Sequence, residues 1–195
     1  MSKRPGQTNQ IRIVGGEHRG RRLTFPESQG LRPTSDRTRE TLFNWLQPLL
    51  PGAVCLDLFA GSGALGFEAA SRGAGRVTLV EQNAQVVKQL RTNQKLLELD
   101  RVVVEQRDAL SWLDQESTAF DIVFLDPPFA DNLLTECCEK LEQRGWVGRD
   151  ARIYLEWDLH GPTPQLPSNW QPHKEKKAGQ VAYALYTRQT KKGPE

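Results

Sequence analysis

The sequence predicts an α/β protein with a doubly wound, mostly parallel sheet. From residue 53 onward, short apolar runs alternate with longer segments whose apolar residues recur at helical intervals, which is typical of successive βα units. A glycine-rich turn follows the first apolar run, at a strand-to-helix junction of the kind that binds ligands in such folds. A short basic region precedes this alternating core.

The first 50 residues predict a β-hairpin and then a helix. The predicted hairpin consists of two apolar strands, at 11–14 and 21–24, which a glycine-rich, basic turn at 15–20 connects. The helix is predicted over 34–46, where Ser35 can cap the first turn and Leu42 and Phe43 give one apolar face. We therefore expect an N-terminal extension over 1–50 and a main domain over 51–195.

The core beyond residue 50 predicts alternating strands and helices. The predicted strands lie at 53–58, 76–80, 102–105, 120–125, 152–157 and 181–187. The predicted helices lie at 64–72, 84–99, 110–114 and 131–144. A proline-rich segment over 161–172 predicts a loop before the last strand.

Charge is distributed unevenly along the chain. Residues 1–50 carry nine Lys and Arg against four Asp and Glu, a net charge of +5. Residues 51–169 carry eleven against eighteen, a net of −7, and residues 170–195 carry six against two, a net of +4. Two basic ends around an acidic middle are typical of a polyanion-binding surface added to an enzyme core, although a solvated tail explains the C-terminal charge equally well.

The composition also limits the class of protein. No apolar run approaches the roughly 18 residues that span a membrane, and residues 1–10 are polar and lack the apolar core of a secretion signal. The three cysteines, Cys55, Cys137 and Cys138, suit neither a disulfide framework nor the C-x-x-C spacing of zinc sites. We therefore expect a cytoplasmic protein with buried thiols and no bound metal.

The glycine-rich turn over 56–66 reads L-D-L-F-A-G-S-G-A-L-G. Its three glycines, Gly61, Gly63 and Gly66, form the pattern G-x-G-x-x-G. Glycines at a strand-to-helix turn serve dinucleotides, other nucleosides or simply tight packing. The pattern alone does not choose among these.

Three carboxylates near this turn narrow the choice of ligand. Glu81 ends the second predicted strand, twenty residues after Gly61, where it can accept hydrogen bonds from both hydroxyls of a ribose. NAD and S-adenosylmethionine (SAM) both carry that ribose. Asp57 would repel a pyrophosphate but favour the ammonium group of a methionine tail, which indicates SAM. Asp108, after the third strand, can accept a hydrogen bond from an adenine amine, although a lone loop aspartate is more often a helix cap.

With these motifs in this order, the sequence resembles the class I SAM-dependent methyltransferases over 53–130. The resemblance implies a Rossmann-like, seven-stranded sheet. It assigns the glycine turn and Asp57 to the methionine moiety, Glu81 to the ribose, and Gln82 and the Asp108 loop to the adenine. The residues implied to bind the cofactor are Asp57, Phe59, Ala60, Gly61, Gly63, Glu81, Gln82, Asp108 and Ala109.

A second motif, Asp126-Pro127-Pro128-Phe129, follows the predicted strand over 120–125. Ligands of open parallel sheets bind at the carboxyl ends of strands, so this tetrad is a candidate catalytic centre. An exocyclic base amine is a poor nucleophile because its lone pair is delocalised, and acceptors on its two hydrogens would turn that lone pair toward the methyl group. With an ordinary pKa of about 3.9, Asp126 is expected to be ionised and to accept one N–H, while the Pro127 carbonyl accepts the other.

The two prolines make this tetrad stiff, since each fixes φ near −65°. Phe129 is expected to stack on the target base and to offset part of the cost of unstacking it. Methyl transfer would be a direct in-line displacement without a metal, and either Asp126 or a water would take the released proton. For the tetrapeptide alone, a plain turn after a strand is an equally good interpretation.

The N-terminal region indicates the polymer that carries the base. The segments H-R-G-R-R-L at 18–23 and L-R-P-T-S-D-R-T-R-E-T-L-F-N at 31–44 closely resemble RsmD-type bacterial 16S ribosomal RNA (guanine-N2)-methyltransferases. Together with D-L-F-A-G-S-G and D-P-P-F, the resemblance covers nearly all of the chain up to about residue 157. It implies methylation of one guanine N2 amine in 16S rRNA. The resemblance leaves open whether the substrate is free RNA or an assembling or assembled small subunit.

Basic residues of the hairpin and of the following helix are the expected RNA contacts. They are His18, Arg19, Arg21, Arg22, Arg32 and Arg37. The hairpin arginines can contact phosphates, which position an RNA without specifying its sequence. Arg32 and Arg37 precede or open the helix and can close over the target, or equally form surface ion pairs. We interpret His18 as a structural or phosphate-contacting residue rather than a proton shuttle.

Alternatives of three kinds remain open. Similar tetrads occur in DNA adenine-N6 methyltransferases and, in a related form, in protein-glutamine methyltransferases. An NAD-binding oxidoreductase would use the same fold, but Asp57 and the lack of an evident hydride-transfer set argue against it. A catalytically silent RNA-binding or ribosome-assembly module would use the same basic ends, and an intact Asp126 tetrad argues against that.

Overall fold

The computed structural model describes residues 9–27, 34–128 and 133–190. The strands are β1 (Asn9–Arg12), β2 (Arg22–Phe25), β3 (Val54–Asp57), β4 (Arg76–Glu81), β5 (Val102–Gln106), β6 (Phe120–Leu125), β7 (Val147–Asp158), β8 (Trp170–Ala178) and β9 (Val181–Arg188). The helices are α1 (Asp36–Leu46), α2 (Ala64–Ser71), α3 (Ala84–Leu96), α4 (Ala109–Leu113) and α5 (Leu134–Gln143).

One sheet contains seven of these strands, in the order β5-β4-β3-β6-β7-β9-β8. The five strands β3 to β7 are parallel, and β9 runs antiparallel between β7 and β8. The order reverses between β3 and β6, which makes the end of β3 the switch point where such sheets bind ligands. The predicted doubly wound, mostly parallel sheet of seven strands is therefore confirmed. We call the edge where the parallel strands end the carboxyl edge, and the opposite one the amino edge.

The strand β8 corrects the loop expected over 161–172, because it begins at Trp170. After the buried Trp170, every residue of β8 is exposed, so the strand lacks the alternation of apolar and polar residues that predicts strands. Pro172 and the lysines are typical of the outermost strand of a sheet, which must resist pairing with a strand of another chain.

The predicted N-terminal hairpin is present, with β1 and β2 paired antiparallel. The strand β1 ends before Val14, earlier than expected, because the N–H groups of Val14 and Gly15 donate to the Glu68 carboxylate, each at 2.8 Å. Similarly, α3 ends at Leu96 rather than at 99, because Glu98 adopts a left-handed φ of 53°.

The helix α1 begins as expected. The Ser35 hydroxyl accepts the N–H of Thr38 at 3.2 Å and caps the first turn. Leu42, Phe43 and Leu46 are buried in the apolar cluster that also contains hairpin and sheet residues. The extension and the sheet thus share one core, and the division of the chain at residue 50 stays a prediction.

Two apolar clusters lie against the sheet and hold the cysteines. One contains side chains of α1, α2 and α3, and the other contains side chains of α4 and α5. Cys55, Cys137 and Cys138 are buried and unpaired, as the sequence predicts. None of the described helices is long and apolar enough to cross a membrane.

Candidate active site

The carboxyl edge brings together the acidic residues that the sequence singled out. Asp57 and Glu81 end β3 and β4, while Asp108 and Asp126 follow β5 and β6. Because β3 is hydrogen-bonded to β4 on one side and to β6 on the other, the ends of these strands are adjacent. Four separate segments of the chain therefore form one acidic site.

The glycine turn after β3 depends on the special backbone freedom of glycine. Gly61 and Gly63 have φ of 49° and 77°, in the left-handed region, and Gly63 is the N-cap of α2. A Cβ on Gly63 would lie 2.5 Å from ring carbons of Phe67. The N–H of Ala60 donates to the Val80 carbonyl at 2.9 Å and fixes the turn against β4. The turn holds α2 with its N-terminus at the carboxyl edge.

Asp57 lies beneath this turn and is almost fully buried, with 1% of its surface exposed. Its Oδ2 accepts the N–H of Gly66 at 2.9 Å. Burial, and to a smaller extent the charge of Glu81, raises the pKa of Asp57 to about 7, although the Gly66 hydrogen bond opposes the shift. A cation beside Asp57 would favour its ionised form, so the position suits an ammonium group.

Glu81 connects the glycine turn to the start of α3. Its Oε2 accepts the N–H of Gly61 at 3.1 Å, and its Oε1 accepts the N–H of Asn83 at 2.8 Å. Each carboxylate oxygen can accept two hydrogen bonds, so each keeps one acceptor position. These two free acceptor positions fit the paired hydroxyls of a ribose.

The other predicted cofactor residues lie in the segments that follow β3, β4 and β5. Asp108 Oδ1 accepts the N–H of Ser111 at 2.9 Å and caps α4, so the helix-cap interpretation of Asp108 is confirmed and its contact with adenine stays a prediction. Gln82 is exposed, Ala60 and Ala109 are buried, and Phe59 is partly buried against an apolar cluster.

The tetrad begins directly after β6, where Asp126 is partly buried, Pro127 is buried and Pro128 is exposed. Phe129 lies outside the described residues. Pro127 and Pro128 line a small cavity of about 110 Å³, together with residues at the start of α5, at the end of β7 and after β7. The other residues of that lining are Leu133, Leu134, Thr135, Trp157, Asp158, Gly161, Pro162, Thr163 and Pro164.

Asp126 belongs to a polar group that we call the acidic cluster, formed by Thr34, Asp126, Tyr154 and Glu156. The Thr34 hydroxyl lies 3.2 Å from Asp126 Oδ2 and 2.9 Å from Glu156 Oε1. The Tyr154 hydroxyl donates to the same Glu156 oxygen at 2.7 Å. Sequence reasoning missed three of these four residues. The one available signal was Glu156 itself, a charged residue inside an apolar run.

The acidic cluster corrects the expected ionisation of Asp126. Burial raises the pKa of Asp126 well above its usual range, and the charge of Glu156 raises it further, against the effect of the Thr34 contact. Burial also raises the pKa of Glu156. Within the described part of the chain, no Lys or Arg forms a salt bridge with either carboxyl. The expectation that Asp126 keeps an ordinary pKa is therefore wrong.

The hairpin turn lies at the amino edge rather than beside Asp126. The His18 N–H donates to the hydroxyl of Ser71, the last residue of α2, at 3.0 Å. The Arg21 guanidinium donates to the carbonyl of Leu96, the last residue of α3, at 3.3 Å. Both helices start at the carboxyl edge, so their ends lie at least the roughly 12 Å length of α2 away from it.

The remaining predicted RNA contacts differ in location. Arg19 and Arg22 are exposed on the hairpin. Arg37 is exposed in the first turn of α1, next to the segment that contacts Asp126. Arg32 lies outside the described residues. Of the described candidates, only Arg37 thus lies near the tetrad, because it is three residues after Thr34, which contacts Asp126.

A second basic surface lies on β8, within the C-terminal region whose net positive charge in the sequence suits either polyanion binding or a solvated tail. The ladder pairs Glu156 with Tyr183 and Tyr183 with Lys176, so Lys176 lies level with the acidic cluster. Lys174, Lys176 and Lys177 are all exposed, and we call them the β8 lysines.

Comparison with known proteins agrees with this architecture. Residues 11–187 match the family described as conserved hypothetical protein 95. Ribosomal RNA small subunit methyltransferase D of Escherichia coli (strain K12) is 50% identical over 189 residues, which cover 96% of each chain. The solved Escherichia coli protein yhhF is 48% identical, with a TM-score of 0.88 over 94% of this chain and 100% of that one.

A more distant structure shares the fold alone. It is an RNA methyltransferase from Salinibacter ruber in complex with S-adenosyl-L-homocysteine, with a TM-score of 0.63 at 18% identity, over 84% of this chain and 97% of that one. Given the family match over most of its length and its close relatives, the chain belongs to the conserved hypothetical protein 95 family, the RsmD family of class I SAM-dependent methyltransferases.

Proposed function

We propose that this protein transfers a methyl group from SAM to the exocyclic N2 amine of one guanine in 16S ribosomal RNA. The observation that supports this most strongly is the convergence of the Asp126 tetrad with Glu81 and the glycine turn on one edge of the sheet. The half-identical relative named as a small-subunit rRNA methyltransferase supports the same substrate class.

The cofactor would lie across the glycine turn. Glu81 would accept the ribose hydroxyls on its two remaining acceptor positions, and Asp57 would face the ammonium group of the methionine moiety. Gln82 and the Asp108 loop would contact the adenine. SAM supplies a methyl group on a sulfonium, and the Salinibacter ruber structure of the same fold, with its bound product S-adenosyl-L-homocysteine, supports this choice.

The target amine would lie at the tetrad. A carboxyl oxygen of Asp126 and the carbonyl of Pro127 would accept its two hydrogens and turn the nitrogen lone pair toward the methyl group. Phe129 would stack on the guanine. The cavity beside Pro127 and Pro128 offers an apolar wall to the same planar group.

The RNA would reach this site along the carboxyl edge. Arg37 and the β8 lysines lie on the same side of the molecule as Asp126, so they would contact phosphates near the target. Arg19, Arg21 and Arg22 on the hairpin would contact more distant phosphates, because the hairpin turn lies at the amino edge.

Radiolabelled methyl transfer tests this proposal. Unmodified 16S rRNA, free and within small-subunit particles, is incubated with labelled SAM, and the modified nucleoside is then identified and mapped. We expect N2-methylguanosine at one position. Labelled N6-methyladenine in a parallel reaction with DNA, or labelled glutamine in protein, with no label in the rRNA, would reject the proposal in favour of an alternative that uses the same tetrad.

The Asp126→Ala variant tests the role of the tetrad. Transfer should be lost while SAM affinity stays within a few-fold, because Asp126 is assigned to the acceptor amine. Asp100→Ala is the matched control, since Asp100 is an exposed aspartate that precedes β5 at the amino edge. Retained turnover in Asp126→Ala would remove Asp126 from the mechanism.

A further inference from the structure

The acidic cluster contains contacts that holding the target amine does not require. Asp126 can accept an N–H without help, yet Thr34 and Glu156 are buried behind it, with 8% and 5% of their surfaces exposed. Thr34 comes from the segment before α1 and Glu156 from β7, so three distant parts of the chain meet at one carboxyl. Burying polar groups costs stability, so this arrangement calls for a physical reason.

The number of protons in the acidic cluster determines which of its two carboxyls is charged. The Thr34 hydroxyl has one proton but faces carboxyl oxygens of both Asp126 and Glu156. It can donate to only one of them. The other contact is favourable only when that carboxyl is itself protonated and donates to the Thr34 oxygen. Because Tyr154 already donates to Glu156, the charge is best placed on Glu156 and the shared proton on Asp126.

We propose that Thr34 relays this proton between Asp126 and Glu156, so that Glu156 stores it while Asp126 takes the proton that the methylated amine releases. This inference rests on the proposed function. In the relay, Thr34 passes its proton to Glu156 and receives the proton of Asp126, which leaves Asp126 as a carboxylate that faces the amine.

The relay balances with methyl transfer. The nitrogen lone pair forms the new N–C bond, the C–S bond breaks, and its electron pair stays on sulfur. The nitrogen then loses one proton to Asp126. Both carboxyls are neutral at that point, and water removes one proton after the product leaves. Burial raises the pKa of both Asp126 and Glu156, which favours the protonated form of each carboxyl.

Other titratable groups face this pair. In the described part of the chain they are Asp57 from β3, Tyr154 from β7 and Tyr183 from β9. Asp57 has a pKa of about 7, so it also titrates within the pH range of the test. Variants of Thr34 and Glu156 leave Asp57 in place, so a difference between their pH profiles and that of the wild type reports on the relay.

The test compares kcat from about pH 6 to 9, with saturating SAM and 16S rRNA, in the wild type and three variants. In Glu156→Gln and Thr34→Val, Asp126 cannot pass its proton to residue 156. Burial, the main cause of the raised pKa of Asp126, remains in both variants. Both variants should therefore lose about tenfold or more in kcat at neutral pH and recover as the pH rises. Thr34→Ser keeps the hydroxyl and should follow the flatter wild-type profile.

Two results would overturn the relay. One is an equal loss of kcat at every pH in Glu156→Gln and Thr34→Val, which indicates a structural role only. The other is a Thr34→Ser variant as defective as Thr34→Val. Thermal unfolding of each variant separates these results from a loss of fold.

An infrared measurement without substrate keeps the relay separate from the proposed function. At neutral pH, the free wild type should show a stronger carbonyl band of protonated carboxylic acid than an Asp126→Asn, Glu156→Gln double variant, because partly protonated Asp57 contributes equally to both spectra. Identical spectra would overturn the relay even if the wild type methylates 16S rRNA. A difference would support the shared proton even if another substrate proves correct.

Discussion

Glu156 of β7 and Lys176 of β8 lie at the same level of the sheet, with Tyr183 of β9 between them. Neighbouring strands are about 4.8 Å apart, so the two backbones are separated by about 10 Å. The ammonium group of Lys176 lies 5.9 Å from the centre of the Trp45 ring, which in turn stacks on Tyr183. The Lys176 ammonium group is therefore held against α1, at the level of the acidic cluster and two strands away from it.

The β8 lysines are expected to contact phosphates that flank the target guanine. Replacing all three by alanine should weaken RNA binding and reduce the slope of log K against log salt by roughly two to three. The slope falls because RNA binding releases fewer counterions when phosphate contacts are lost. Fluorescence anisotropy over a range of salt concentrations measures this slope. An unchanged slope would exclude the β8 lysines from the RNA surface.

The hairpin arginines provide the matched comparison. Replacing Arg19, Arg21 and Arg22 by alanine removes the same number of charges from the amino edge. On full-length 16S rRNA, this variant should also bind more weakly with a flatter salt dependence. On a short RNA that carries only the target region, it should bind like the wild type while the lysine variant stays defective. Equal losses on the short RNA would show that the RNA path also covers the hairpin.

The parts of the site that depend on local sequence were predictable. Asp57, Glu81 and Asp126 each end or follow an apolar run, and strand ends of a parallel sheet share one edge whatever the details of packing. Ser35 was likewise predictable as a cap because capping acts within one turn.

The parts that depend on distant pairing were not predictable. Thr34 is 92 residues from Asp126 and 122 from Glu156, and only the β6 to β7 ladder with the docking of α1 brings them together. Local charge revealed the basic hairpin but not the edge of the sheet at which it lies. The ordinary reference pKa was wrong for Asp126 for the same reason, because the burial of Asp126 and its proximity to Glu156 arise only from the fold.

The affinity for SAM should depend on pH through Asp57. Its folded-state pKa of about 7 lies above its ordinary value of 3.8, so the carboxyl is protonated below pH 7 and ionised above it. An ammonium group binds the ionised form, so affinity should rise with pH and level off above 7, with up to tenfold per pH unit at the acid end. Calorimetry between about pH 5.5 and 7.5 measures this.

Asp57→Asn is the control for this dependence. Its side-chain oxygen can still accept the Gly66 N–H, but it cannot ionise. The variant should bind SAM more weakly and with little change across the same pH range. A wild-type affinity that is flat with pH would remove Asp57 as the partner of the ammonium group.

Gly63 and Gly52 offer a matched pair for the glycine turn, because both have a φ of 77°. An added Cβ at Gly52 meets nothing within 4 Å, whereas at Gly63 it would lie 2.5 Å from Phe67 and 2.8 Å from Leu90. Gly52→Ala should therefore cost only the backbone term of about 1 to 2 kcal/mol in free energy of unfolding. Gly63→Ala adds overpacking and should cost about 3 kcal/mol or more.

Urea unfolding of both alanine variants separates the two terms. If Gly63→Ala is no less stable than Gly52→Ala, the surroundings of Gly63 relax freely and the turn tolerates a side chain. SAM binding gives a second measurement, since a displaced Phe67 would shift the start of α2 and only Gly63→Ala should weaken it.

Glu68 is expected to determine whether the N-terminal extension stays docked. It is fully buried on α2, accepts the N–H groups of Val14 and Gly15, and accepts the Arg72 Nε–H at 2.7 Å. Glu68→Gln removes the charge but keeps the volume, and its amide would present donors to groups that are themselves donors. Breaking a buried pair on one side costs about 3 to 5 kcal/mol, so the midpoint of urea unfolding should fall clearly.

Glu17→Gln is the control, because the ion pair of Glu17 with Arg101 is largely exposed and should contribute little to stability. Limited proteolysis at the 15–20 turn distinguishes local release of the hairpin from global unfolding. Cleavage in Glu68→Gln at urea concentrations that leave the sheet folded would show that Glu68 holds the extension specifically. Since Thr34 lies in the extension just before α1 and contacts Asp126, the same variant should then also lose methyl transfer, which Glu17→Gln should keep.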